Sequence, residues 1–105
     1  MNAVELIPSQ AASANATSAY YDLGGKIDFA IQVSFTGSDV AGVLTLEAAV
    51  DPALGWVKVL DSDQSVTSSA GHIWNVTGAG YRYIRIKWAY SSGTGNIKAL
   101  IYLKD

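Results

Sequence analysis

The sequence predicts an all-β protein, an antiparallel β-sandwich of the jelly-roll type with seven to eight short strands and an irregular N-terminal arm. Two observations favour this fold. Apolar and polar residues alternate with a period of two from residue 20 onward, and turn residues recur at the spacing typical of a sandwich. The connections are also too short for the crossover helices of a parallel sheet. We therefore divide the chain into an arm, 1–19, and a sandwich domain, 20–105.

The arm consists mainly of Ala, Ser, Asn and Thr, and its bulky apolar residues are Val4, Leu6 and Ile7. Ordering one residue costs about 1–2 kcal/mol of conformational entropy, which so few apolar side chains do not offset without a partner. The segment is predicted either to be disordered or to order against another subunit. In the second case, deleting residues 1–18 abolishes binding to that partner and leaves a folded monomer.

The first two strands of the domain are predicted at residues 26–35 and 43–50. In the first, one side is wholly apolar, with Ile27, Phe29, Ile31, Val33 and Phe35. The second repeats this alternation, and a Gly-containing loop at 36–42 separates the two. We expect them to be hairpin neighbours.

Shorter strands follow a turn at residues 51–55, where Pro52 fixes φ and Gly55 admits a positive φ. We predict these strands at 56–60, 64–67 and 72–76.

The longest strand is predicted at residues 81–90, and a last strand at 96–103 follows a loop of hairpin length. In the longest strand, Ile84, Ile86 and Trp88 share one side. The opposite side carries aromatic and basic residues, among them Tyr83 and Arg85.

Composition excludes several classes of function. The net charge is −2 without a basic block, so we expect no nucleic-acid binding. No apolar run reaches the length of a membrane span, and no signal-peptide pattern opens the chain, so we expect a soluble protein that is not exported by that route. There is no cysteine and one histidine, His72, which excludes thiolate sites and any mechanism that needs two imidazoles.

The remaining polar residues give little sign of catalysis. Glu47, Asp51, Asp61 and Asp63 lie near strand ends, as calcium ligands do, but no calcium-binding loop motif is present and turn carboxylates usually bond their own backbone. His72 lies near two serines without a nucleophile motif or an orienting acid. We expect no enzymatic activity, no catalytic residue, no metal and no cofactor.

The aromatic residues are more informative, because Tyr and Trp anchor protein interfaces and also stack on sugars. For Trp56, Trp74 and Trp88, packing in the core is the competing interpretation. For Tyr81, Tyr83 and Tyr102, a protein interface is favoured over a sugar platform. The residues predicted to contact a partner are Val4, Leu6, Ile7, Tyr20, Tyr21, Tyr81, Tyr83 and Arg85.

Five runs carry a resemblance to a known family: Leu-Thr-Leu-Glu-Ala at 44–48, Trp-Val at 56–57, Ile-Trp-Asn-Val at 73–76, Gly-Tyr-Arg-Tyr-Ile-Arg at 80–85 and Ser-Ser-Gly-Thr-Gly at 91–95. Over about residues 18–103 the chain resembles small β-sandwich structural proteins of tailed bacteriophages. It departs from them at 51–55, where the family has a shorter Asp-Gly turn.

The resemblance implies a virion structural protein, either a capsid decoration (cementing) protein or a head- or tail-associated accessory. The implied partners are the major capsid protein or another virion protein, together with further copies of the chain as a dimer or trimer. The implied location is the capsid surface, after synthesis in the host cytoplasm. The alternative is a carbohydrate- or host-surface-binding module of a tail or head fibre, because similar strands occur in sugar-binding sandwiches.

Overall fold

Two antiparallel sheets pack face to face, which confirms the predicted β-sandwich. The computed structural model describes residues 3–37 and 39–104; Met1 and Asn2 of the predicted arm, Ser38 of a predicted loop and Asp105 lie outside the described residues. The strands are β1 Ala3–Ala11, β2 Ala16–Thr17, β3 Tyr21–Asp22, β4 Asp28–Phe35, β5 Ala41–Ala49, β6 Val57–Lys58, β7 Gln64–Val66, β8 His72–Val76, β9 Tyr83–Ser92 and β10 Asn96–Lys104, with a 3-10 turn at Pro52–Leu54.

The first sheet has the strand order β1-β10-β4-β8. In the second sheet, β9 and β5 form the centre, the short strands β2 and β3 pair with β9, and β6 and β7 pair with β5. The short strands therefore form both edges of the second sheet, while β1 and β8 form the edges of the first.

The core lies between the sheets and follows the alternation of the sequence. Ile84, Ile86 and Trp88 of β9 are fully buried, as predicted, and face apolar residues of β4 and β10 across the sandwich. The Trp88 indole Nε1 donates a hydrogen bond to the Ala12 carbonyl oxygen at 2.9 Å, so the largest core side chain leaves no polar atom unpaired.

The prediction of an irregular arm was wrong for residues 3–11. These residues form β1, which pairs antiparallel with β10 through two register irregularities. Leu6 and Ile7 are 6% and 2% exposed and belong to the core. The backbone of β10 supplies hydrogen-bond partners that the local sequence does not reveal, and burial of two adjacent apolar residues adds to them.

The two predicted hairpins were also wrong, because each loop crosses from one sheet to the other. β4 lies in the first sheet and β5 in the second, while β9 lies in the second and β10 in the first. The two crossings run side by side: the Thr94 backbone N–H donates to the Asp39 carboxylate at 3.2 Å. A Cβ at Gly95 would overlap the Thr36 carbonyl oxygen, so this close approach requires glycine.

Most predicted strand positions agree with the structure, and the differences lie at the ends. Residues 56–60 were predicted as one strand, but only Val57 and Lys58 pair as a strand. The pairs at β2 and β3 were not predicted, because two residues are too few to show a period of two. Among the described residues, no helix is long and apolar enough to cross a membrane.

Candidate functional site

An aromatic cluster covers part of the outer face of the second sheet. It consists of Tyr20, Trp56, Tyr83 and Arg85, which we call the aromatic–arginine surface. The Tyr20 ring lies 5.6 Å from that of Trp56 and 5.3 Å from that of Tyr83, between ring centroids. The Arg85 guanidinium lies 4.5 Å from the centroid of the Trp56 ring, within the range of a cation–π contact.

Strand pairing holds this surface in place. Glu47 of β5 stands directly opposite Arg85 of β9, and the two side chains form an ion pair at 2.7 Å. Both are largely shielded, with exposed side-chain fractions of 14% for Glu47 and 27% for Arg85. The guanidinium is therefore fixed between a carboxylate and an indole, so little side-chain entropy remains to be lost when a partner binds.

A second feature lies at the end of the sandwich, where β5 turns into β6. Four aliphatic side chains there are largely exposed: Val50 at 70%, Leu54 at 86%, Val57 at 70% and Leu60 at 85%. We call these four residues the apolar hairpin patch. They line a groove of about 450 Å³, whose ionisable residues are Asp51, Lys58 and Tyr81.

The pairing of β5 with β6 explains why the apolar hairpin patch is uncovered. Val57 pairs with Ala48, whose side chain is buried, so Val57 points to the inner side of the second sheet. Its high exposure shows that the first sheet does not extend far enough to cover β6.

Tyr81 lies between this groove and a second one of about 500 Å³, whose lining includes Lys26 and Arg82. Its ring centroid is 6.5 Å from that of Phe29, and its hydroxyl is buried without a hydrogen-bond partner. Burial raises the pKa of the Tyr81 hydroxyl, which therefore stays protonated and can act as a donor.

The eight residues predicted to contact a partner do not form one surface in the structure. Leu6 and Ile7 lie in the core and do not form surface, whereas Val4 on the same strand is exposed. Tyr21 is half-buried on β3, and Tyr81 packs against the core. Tyr20, Tyr83 and Arg85 come together on the aromatic–arginine surface.

Three of the four carboxylates considered as calcium ligands have protein partners. Glu47 binds Arg85, Asp51 accepts from the Ala53 backbone N–H at 3.0 Å, and Asp63 accepts from Thr45 and Lys58. The described residues contain no group of three or more His, Asp or Glu side chains placed to hold a metal ion.

Two parts of these surfaces were not predicted from the sequence. Trp56 was weighed as a core residue, yet it is half-buried beneath Arg85 on the outer face. The apolar hairpin patch was interpreted as an ordinary turn followed by a strand. Its signal was the number of aliphatic residues at 50–60, in a segment too short to bury them all.

Together these features define a β-sandwich with two exposed surfaces on its second sheet, one aromatic and one aliphatic. No protein-family model and no curated protein matches the sequence. Among solved structures, the chain is similar to the SPBc2 prophage-derived protein YomS, with a TM-score of 0.61 over 95% of this chain and 90% of that chain. The two sequences are 12% identical, so the similarity shows a common fold.

Proposed function

We propose that the chain is a non-enzymatic structural protein of a bacteriophage virion, a capsid decoration protein that binds the lattice of the major capsid protein. The observation that supports this most is the shared fold with a prophage-derived protein over 95% of the chain. The strand motifs that resemble tailed-phage sandwich proteins agree with it. The protein is made in the host cytoplasm and is carried on the outer surface of the capsid.

The aromatic–arginine surface is the part of the molecule that contacts the capsid. Tyr, Trp and Arg are the residues that most often dominate the energy of protein interfaces. Tyr20 is 56% exposed, and its ring packs against the rings of Trp56 and Tyr83. It is therefore an exposed aromatic anchor that its neighbours hold in place. Arg85, which its ion pair with Glu47 holds in place, adds directional hydrogen-bond donors, and little side-chain entropy is lost when they bind a partner.

The sugar-binding alternative has less support from the geometry. A sugar platform needs an aromatic ring with an open face, and the guanidinium of Arg85 lies over one face of Trp56. The Tyr20 ring also packs against this indole, at 5.6 Å between ring centroids and with the ring planes tilted by 41°. The surface is therefore better suited to a protein partner than to a stacked hexose.

Co-sedimentation with undecorated capsids of the phage that carries the gene tests the proposal. We expect stoichiometric binding by the full chain, and binding at least about tenfold weaker for Tyr20→Ala and Arg85→Ala. Tyr102→Ala, an exposed tyrosine on the outer face of the first sheet, is the matched control and should bind like the unmodified chain. A chain that does not sediment with capsids would contradict the proposal, and glycan binding that Trp56→Ala removes would favour the alternative.

A further inference from the structure

Lys87 extends the aromatic–arginine surface along the outer face of β9. Its chain neighbours Ile86 and Trp88 are fully buried, whereas Lys87 itself is exposed. Because side chains alternate along a strand, Lys87 shares the outer side of β9 with Arg85, about 7 Å away. A partner segment only slightly longer than the aromatic–arginine surface therefore also contacts Lys87.

Three other cations make their contacts on this outer face, and each has a carboxylate partner from its own chain. The pairs are Arg85 with Glu47, Arg82 with Asp22 and Lys58 with Asp63, at N–O distances of 2.7, 3.1 and 3.0 Å. Lys87 forms no ion pair within the described part of the chain. These pairs and Lys87 together leave one uncompensated positive charge on the face, although the chain as a whole has a net charge of −2.

The flanking strands explain why Lys87 has no internal partner. The residues directly opposite it are Thr17 of β2 and Thr45 of β5, and neither is charged. The Thr45 hydroxyl donates to one oxygen of Asp63 at 2.7 Å, and Lys58 donates to the other at 3.0 Å. Both oxygens of that carboxylate are therefore bound, and the Lys87 ammonium stays available to a carboxylate from outside the chain.

We propose that the segment of the capsid protein that covers the aromatic–arginine surface carries an Asp or Glu residue whose carboxylate pairs with Lys87. This inference rests on the proposed function and specifies the chemistry of its partner. A carboxylate complements one uncompensated ammonium, whereas a cation at the same point of the partner would be repelled. Aromatic anchors supply most of the affinity, and the ion pair fixes the orientation of the partner segment.

Charge reversal at Lys87 tests this pair in the capsid co-sedimentation assay. We expect Lys87→Glu to bind at least about tenfold more weakly than the unmodified chain, because two carboxylates then meet. Lys98→Glu is the matched control: Lys98 is a half-exposed lysine of the first sheet, and the change in net charge is the same. The control should bind like the unmodified chain. Thermal unfolding of both variants checks that each is folded.

Carbodiimide cross-linking of the unmodified chain on capsids identifies the partner carboxylate without relying on a variant. The reagent joins a lysine amine and a touching carboxylate as an amide and takes up the water that is lost. Lys58 and Asp63, 3.0 Å apart within the chain, are the internal positive control. By mass spectrometry we expect a cross-link between Lys87 and an Asp or Glu of the major capsid protein. Lys87→Arg keeps the charge but has no amine, so it should still bind capsids and lose this cross-link.

The outcomes distinguish this inference from the proposed function. If the unmodified chain binds capsids and Lys87→Glu binds equally well, the acidic partner is overturned and the capsid function stands. The same holds if no cross-link from Lys87 forms, or if Lys98→Glu loses as much binding, since net charge would then be the cause. An unmodified chain that does not bind capsids would overturn both.

Discussion

The N-terminal strand and the β5–β6 hairpin use apolar residues in opposite ways. β1 has few bulky apolar residues in a polar context, yet Leu6 and Ile7 are almost completely buried. The hairpin is rich in aliphatic residues, yet Val50, Leu54 and Val57 are mostly exposed. The difference shows that burial here depends on whether a facing strand exists, rather than on how apolar a segment is.

Deleting the N-terminal segment is expected to change the stability of the fold more than any other change described below. Deleting residues 1–18 removes β1, the Ala12 carbonyl that accepts from Trp88, and the Ser18 hydroxyl that accepts from the Ile86 backbone N–H at 2.9 Å. We expect the truncated chain to lose cooperative thermal unfolding, monitored by circular dichroism, because one edge of the core is then open to water. A truncated chain with an unchanged unfolding midpoint would restore the interpretation of this segment as an arm.

Shortening one buried side chain of β1 and one exposed side chain of β6 tests the same difference in burial. Ile7→Ala should lower the free energy of unfolding by about 2–5 kcal/mol, because it leaves a cavity in the core. Val57→Ala in dilute protein should change it by no more than about 0.5 kcal/mol, since that side chain is already 70% exposed. Urea denaturation measures both, and equal losses would contradict the contrast between the two regions.

The attachment of the hairpin to the sandwich is tested next. Ser62 is buried, and its hydroxyl accepts from the Leu46 backbone N–H at 3.2 Å and donates to the Val59 carbonyl at 2.7 Å. Ser62→Ala should cost about 1–3 kcal/mol, because buried polar backbone groups lose their partner. Ser65→Ala, at an exposed position in β7, is the control and should be close to neutral in the same urea titration. A neutral Ser62→Ala would mean that water replaces the hydroxyl.

The smallest expected effect concerns β8, the other edge of the first sheet. Burial lowers the pKa of His72 below its ordinary value of 6.5, and its ring packs 4.8 Å from that of Trp74. The unfolded chain therefore binds a proton more readily, so the stability contributed by neutral His72 is complete above pH 6.5 and is lost as the pH falls through the lower folded-state pKa. Unfolding midpoints between pH 7 and about pH 5 should fall less for His72→Gln than for the unmodified chain. Parallel profiles would show that His72 does not carry this dependence.

The period of two was sufficient to predict the sandwich and the inner side of β9. Ile84, Ile86 and Trp88 are buried as predicted, because alternation in a strand directly sets which side chains share a face. Of the predicted contact residues, Tyr20, Tyr83 and Arg85 do lie together. Their proximity to Trp56 was not predictable, because it depends on β6 pairing with β5 beside β9.

Loop length failed as a guide to connectivity for a physical reason. The connections at 36–40 and 93–95 are long enough both for a hairpin and for a crossing between sheets about 10 Å apart. The choice between them depends on which strands compete for the same edge, and β4 pairs with β10 and β8 rather than with β5. Sequence periodicity carries no information about that competition.

Local sequence patterns are enough to predict an all-β chain with alternating strands, a cysteine-free apolar core and an aromatic, basic outer side on its longest strand. Tertiary structure alone decided that Leu6 and Ile7 are core, that Trp56 lies beneath Arg85, and that the β5–β6 hairpin extends beyond the first sheet. The physical reason is that alternation is encoded in neighbouring residues, whereas burial of an edge strand depends on a facing sheet built from residues far away in the chain.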